Sequence, residues 1–112
     1  MQRDAKKYLH DIVEASDKLQ RFTKDKSYQD YLLDELLQAA VERQFEIIGE
    51  ATNKLSQLDI GLADQLPDYR KMISFRNILI HAYDRIDPQL VWGVVESNLI
   101  PLLKITRKLL AD

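Results

Sequence analysis

Helix breakers are rare in this chain, and between them apolar residues recur every three or four positions. Three glycines and three prolines stand apart among 112 residues. No segment alternates apolar and polar residues as a half-buried strand would, and there are no repeats or low-complexity tracts. Such a chain has helices as its main building material. The first runs from about Asp4 to Phe22, with Leu9, Ile12, Val13, Ser16, Leu19 and Phe22 on one face. Thr23-Lys24-Asp25-Lys26 interrupts the pattern, and Ser27 suits the N-cap of a second helix. That helix is expected to reach Leu58. Leu33, Leu36, Leu37, Ala40, Val41, Ile47, Ile48, Ala51, Leu55 and Leu58 form its apolar arc, opposite Glu35, Glu42, Arg43, Glu46 and Glu50. Gly49 lies inside it, where glycine costs about 1 kcal/mol relative to alanine, so another helix is expected to pack closely there. Asp59 to Pro67 reads as the main loop, and a third helix follows from about Asp68 to Tyr83. Asp87-Pro88 opens the last helix as N-cap and first helical residue. It should run to about Leu110 with a kink at Pro101. The expected fold is all-α: an antiparallel bundle of four main helices with a kinked last helix, in one domain spanning residues 1–112.

Several functional classes are excluded or disfavoured. The chain has no cysteine, which rules out disulfides, thiol catalysis and thiolate metal sites. Two histidines are too few for a His-rich metal cage. The first residues, Met1 to Lys7, are polar and no apolar run follows them, so no signal peptide is expected. No uncharged stretch approaches the roughly 20 residues that span a bilayer. These features point to a cytoplasmic protein without a membrane partner. A formal net charge of −2 argues against indiscriminate coating of nucleic acid. A local site remains possible, because Arg70, Lys71, Arg76 and Arg85 face a single acid, Asp84, between positions 70 and 85.

The third helix has an unusual distribution of side chains. From Tyr69 to Tyr83 its apolar residues span roughly 220° of the helical wheel, too wide for one buried stripe. Such a helix suits packing on two sides, by its own bundle and by a second subunit. Arg76 projects into the apolar arc, with Tyr83 two turns further along the same face. Arg70, Ser74, Asn77 and His81 make a separate polar strip. A charge in an apolar arc requires an anion. Two kinds fit Arg76: a carboxylate of the second helix (Glu42, Glu46 or Glu50) in a permanent ion pair, or a phosphate, which suits its planar fork. His81 near a helix end either caps carbonyls or serves as an acid or base near neutral pH. His10 has no convergent partner and reads as structural.

The string Arg76-x-x-x-x-His81-x-Tyr83, with Asn77 after the arginine, resembles the signature of the HEPN superfamily, and within it the HepT-like toxins. The resemblance extends to Tyr8–Ile12 in the first helix, Ala40–Ala51 in the second, and Ile86-Asp87-Pro88 with Val91-Trp92 after the motif. One departure stands out: a Pro-Trp pair often precedes the motif helix in the family, and here Pro67-Asp68-Tyr69-Arg70 offers Tyr69 for the aromatic role. The resemblance implies a homodimer in which two motif helices meet in a composite cleft, and RNA cleavage without metal or cofactor. It also implies a partner, a minimal nucleotidyltransferase antitoxin, that transfers AMP to the motif tyrosine, here Tyr83.

These residues permit a mechanism. Arg76 would hold the scissile phosphate and its developing charge. His81 would act as base or acid, with the second His81 of a dimer taking the other role. Asn77 would orient His81 or donate to phosphate, and Glu42 and Glu46 would support Arg76. The product would be a 2′,3′-cyclic phosphate. The main rival is a non-catalytic helical module that binds a nucleotidyltransferase or a nucleotide. A plain dimerisation domain and a metal-dependent nuclease are weaker readings, the last because no carboxylate cluster accompanies His81.

Overall fold

A computed structural model describes residues 1–112 and contains helices and turns without strands. In order these are α1 (Arg3–Thr23), α2 (Tyr28–Leu32), α3 (Glu35–Leu58), α4 (Ile60–Ala63), α5 (Tyr69–His81), a 3₁₀ turn (Tyr83–Arg85), α6 (Pro88–Ser97) and α7 (Leu99–Ala111). The central helix is α3, which packs against both α1 and α5, while α7 lies along α1 and α6 along α2. Leu9, Ile12, Ala15 and Leu19 of α1 meet Val41, Phe45, Ile48 and Leu55 of α3 in one continuous core. No helix is long and apolar enough to cross a membrane.

Three expected boundaries move, each for a local reason. The long second helix divides at Leu33-Asp34. Ser27 forms a capping box with Asp30 at the start of α2, and Asp34 caps α3 by accepting from the Leu37 N–H at 3.0 Å. Gln38 Nε2 closes the joint by donating to the Tyr31 carbonyl at 2.9 Å. Leu33, in the joint, and Leu36, in the first turn of α3 beside the buried Leu37, stand 86% and 81% exposed, outside the expected arc. The expected loop from Asp59 to Pro67 contains the short α4, whose Leu62 N–H donates to Asp59 Oδ1. The last helix breaks at Asn98 rather than bending at Pro101. Proline has no N–H for the Ser97 carbonyl four residues earlier, and its ring crowds that group. Ser97 is accordingly the last residue of α6.

The start of α5 is fastened to this break. Asp68 adopts the left-handed region, with φ 56°, and its side chain caps no backbone N–H. Its Oδ2 instead accepts from Asn98 Nδ2 at 2.9 Å, while Asn98 Oδ1 accepts from Lys71 Nζ at 3.4 Å. Tyr69 is buried, in keeping with the aromatic role expected of it.

Candidate active site

The site is built on the contact between α3 and α5. Met72, Phe75 and Leu79 recur at three and four residues and bury one face of α5. Phe75 meets Phe45 edge to face, with ring centroids 5.2 Å apart. Beside this pair the helices come close at Gly49. A Cβ built at position 49 would overlap the Arg76 Cβ and stand 2.8 Å from its Cγ and 3.0 Å from the Met72 carbonyl oxygen. Glycine is the residue that admits the stem of Arg76 at this point. The close helix packing expected at Gly49 is therefore present, and it is packing against the motif arginine.

The Arg76 side chain is 26% exposed and lies over α3. Its Nη2 donates to Glu50 Oε2 at 2.6 Å, a charge-assisted bond. Its Nη1 donates to Asn77 Oδ1 at 3.0 Å. Its Nε is buried and has no partner. A guanidinium has five N–H groups. Glu50 and Asn77 take one each and Nε is shut away, which leaves one N–H unclaimed on each terminal nitrogen.

The supporting carboxylate is Glu50, and the roles expected of Glu42 and Glu46 require correction. Glu46 lies 3.7 Å from Arg43 on the outside of α3. Burial, and then the nearby charge of Glu46, hold the Glu42 carboxyl above its ordinary value. Glu50 also receives Lys54, at 3.7 Å, on its other oxygen. The sequence contained the signal in two separate pieces, a glycine inviting close approach and an arginine in need of an anion. Joined, they select the carboxylate next to the glycine.

His81 is the last residue of α5 and is exposed. Arg70, Ser74 and Asn77 are exposed with it, so the polar strip read from the sequence exists. Ile78 and Ile80 are 41% and 38% exposed and stand on the two flanks of α5, about 160° apart by the helical repeat, one on each side of its buried face. Tyr83 departs from expectation. The helix ends at His81, and Tyr83 lies in the 3₁₀ turn, 77% exposed, so the helical projection that put it on the Arg76 face does not apply. His10 is exposed on α1, away from these residues in sequence and element.

No three side chains of the His, Asp and Glu types gather into a metal-binding group. A surface hollow of about 560 Å³ lies between the end of α1 and the α6–α7 joint and is lined by residues such as Arg21, Lys24 and Glu96. It contains none of the motif residues. Asn77 and His81 instead lie on an open helix face.

Residues 12–109 match the family model described as "Ribonuclease HepT-like". This chain belongs to that family. A relative from Thermococcus cleftensis named "Probable ribonuclease HepT" is 39% identical over 104 residues, covering 93% of each chain. "Putative RNase MJ1380" of Methanocaldococcus jannaschii is 36% identical over 104 residues, covering 91% of this chain and 92% of its own. No solved structure matches. As a HepT-like protein the chain is a member of a ribonuclease family, with the all-helical architecture expected of the HEPN superfamily.

Proposed function

We propose that this protein is a metal-independent endoribonuclease that acts in the cytoplasm as the toxin of a toxin–antitoxin pair. The observation that carries the reading is Arg76, anchored by Glu50 and braced by Asn77, with two N–H groups unclaimed, on the same helix as an exposed His81. A phosphate is the natural acceptor for such a fork. In the reaction, the RNA 2′-oxygen attacks the adjacent phosphorus and the bond to the 5′-oxygen breaks. One His81 removes the 2′-proton and a second protonates the leaving 5′-oxygen. Arg76 holds the charge that develops on phosphorus, and Asn77 keeps its fork in register. The product is a 2′,3′-cyclic phosphate, and the need for a 2′-OH confines the activity to RNA.

On one ideal helix Arg76 and His81 stand about 140° apart, so the proposal includes a homodimer. The exposed Ile78, on one flank of α5, suits burial against a second α5. Control is proposed at Tyr83. Its exposure fits a hydroxyl reached by a partner nucleotidyltransferase. AMP on that oxygen would place negative charge and bulk beside the cleft.

The deciding experiment is RNA cleavage by purified protein with and without chelator, alongside a substrate carrying a 2′-deoxy sugar at the cut position. Chelator-resistant cleavage, a cyclic phosphate end and no cut at the deoxy position are expected. Intact RNA together with retained binding of a nucleotidyltransferase would favour the non-catalytic module instead.

A further inference from the structure

We propose that the Gly49-Glu50 step of α3 is a positioning cradle for Arg76, and that Glu50 determines which guanidinium hydrogens meet an RNA phosphate. The inference rests on the ribonuclease reading above and extends it to a second helix. Three observations converge on these adjacent residues. Gly49 leaves no room for a side chain, so the Arg76 stem lies directly against the α3 backbone, near the Met72 carbonyl. Glu50 then takes Nη2 at 2.6 Å, the shortest contact of the group. The buried Nε has no acceptor, although an arginine free to rotate would gain by exposing that donor to water. The side chain is thus held by its stem, by Glu50 on Nη2 and by Asn77 on Nη1, at the expense of a lost hydrogen bond at Nε.

Glu50 is a positioning residue, because it acts through Arg76 and need not touch RNA. Its charge has two opposing effects. It fixes the fork, which favours the reacting geometry. It also stands beside the place proposed for a phosphate, which weakens substrate binding. Lys54, 3.7 Å from the other Glu50 oxygen, offsets part of that second effect. Loss of Glu50 should therefore lower kcat and KM together, a pattern that simple destabilisation does not produce.

The test compares wild type, Glu50→Gln, Glu50→Ala and Gly49→Ala, with the exposed α1 residue Glu14→Gln as control. Circular dichroism and light scattering first establish that each variant is folded and has the wild-type assembly state. Glu50→Gln keeps an acceptor oxygen and should lose about 3-fold in kcat, and Glu50→Ala about 10-fold or more, with KM lower in both. Gly49→Ala keeps every charge and should still lose kcat, because the new methyl displaces the Arg76 stem. Side-chain nitrogen NMR supplies a readout independent of cleavage: the Arg76 terminal N–H signals should be distinct in wild type and merge through rotation in Glu50→Ala. Wild-type kcat in Glu50→Ala, or an unchanged Arg76 nitrogen spectrum in that variant, overturns the cradle. If wild-type protein cuts no RNA, the ribonuclease reading fails and the nitrogen spectrum alone decides the cradle.

Discussion

The two halves of α5 are held in different ways. In the first half Met72 and Phe75 are buried, Lys71 and neighbouring Asp68 reach Asn98, and Arg76 is tied to Glu50. In the second half only Leu79 is buried, Ile78 and Ile80 are partly bare, and His81 stands in solvent, as does Tyr83 in the turn beyond. The group proposed to bear charge is immobilised by its own chain. The groups proposed to move a proton or accept a modification are not. A guanidinium must be in place before the transition state forms, because its contribution depends on preorganisation. A histidine supplied to a composite cleft is completed only when a second surface arrives.

That contrast can be broken or sharpened by substitution, starting with the largest effect. Phe75→Ala in the packed half should cost about 3–5 kcal/mol of unfolding free energy by denaturant titration; a cost below 1 kcal/mol would mean that the α3–α5 contact is not packed as described. Arg76→Ala should remove about 10²–10³-fold of RNA cleavage and about 1–2 kcal/mol of stability, since it also frees a partly buried Glu50. His81→Ala should lose about 10²-fold or more of cleavage yet shift stability by less than about 0.5 kcal/mol. Equal stability losses in the two variants would erase the distinction between anchored and free groups. Tyr83→Phe should unfold like wild type within about 0.5 kcal/mol and cut RNA normally, but show no adenylate-sized mass shift after co-expression with a nucleotidyltransferase partner.

The smallest effect concerns Glu42. Its carboxyl holds a proton more tightly in the fold than in the unfolded chain, because burial and then Glu46 disfavour its charge. The fold is therefore favoured while Glu42 is protonated and loses that advantage as pH rises from the ordinary carboxylate range through the raised value. Glu42→Gln should melt slightly higher than wild type at neutral pH, and the gap should close below the carboxylate range. A gap that grows on acidification would contradict the direction of the shift.

Much of the fold was legible because periodicity reports burial. The face of α1, the Ser27 cap and the Asp87-Pro88 start all follow from residue spacing and capping chemistry. What was not legible depended on breaks and on pairs of helices. Asp34 interrupts an otherwise helical run because its side chain serves α3 better as a cap than as an interior residue, and Leu33 in the joint stands exposed. Projecting Tyr83 onto α5 failed for a similar reason: the helix stops two residues earlier. Within the candidate site, the strip of Asn77 and His81 was a property of one helix and could be read from it. The partner of Arg76 was a property of two helices, and three carboxylates on α3 were open until the contact at Gly49 selected Glu50.

The link from Asp68 through Asn98 has a mechanical consequence. It rivets the root of α5 to the joint between α6 and α7, while the tip carrying His81 projects past the last buried turn. The helix is in effect a cantilever. A load applied at its tip, such as a second subunit or a strand of RNA, is resisted at the root, and bending strain should collect between Arg76 and Leu79. Backbone amides from Met72 to Arg76, paired within the packed turns, should accordingly exchange deuterium slowly, and those from Ile80 to Tyr83 quickly, until something takes up the load at the free end.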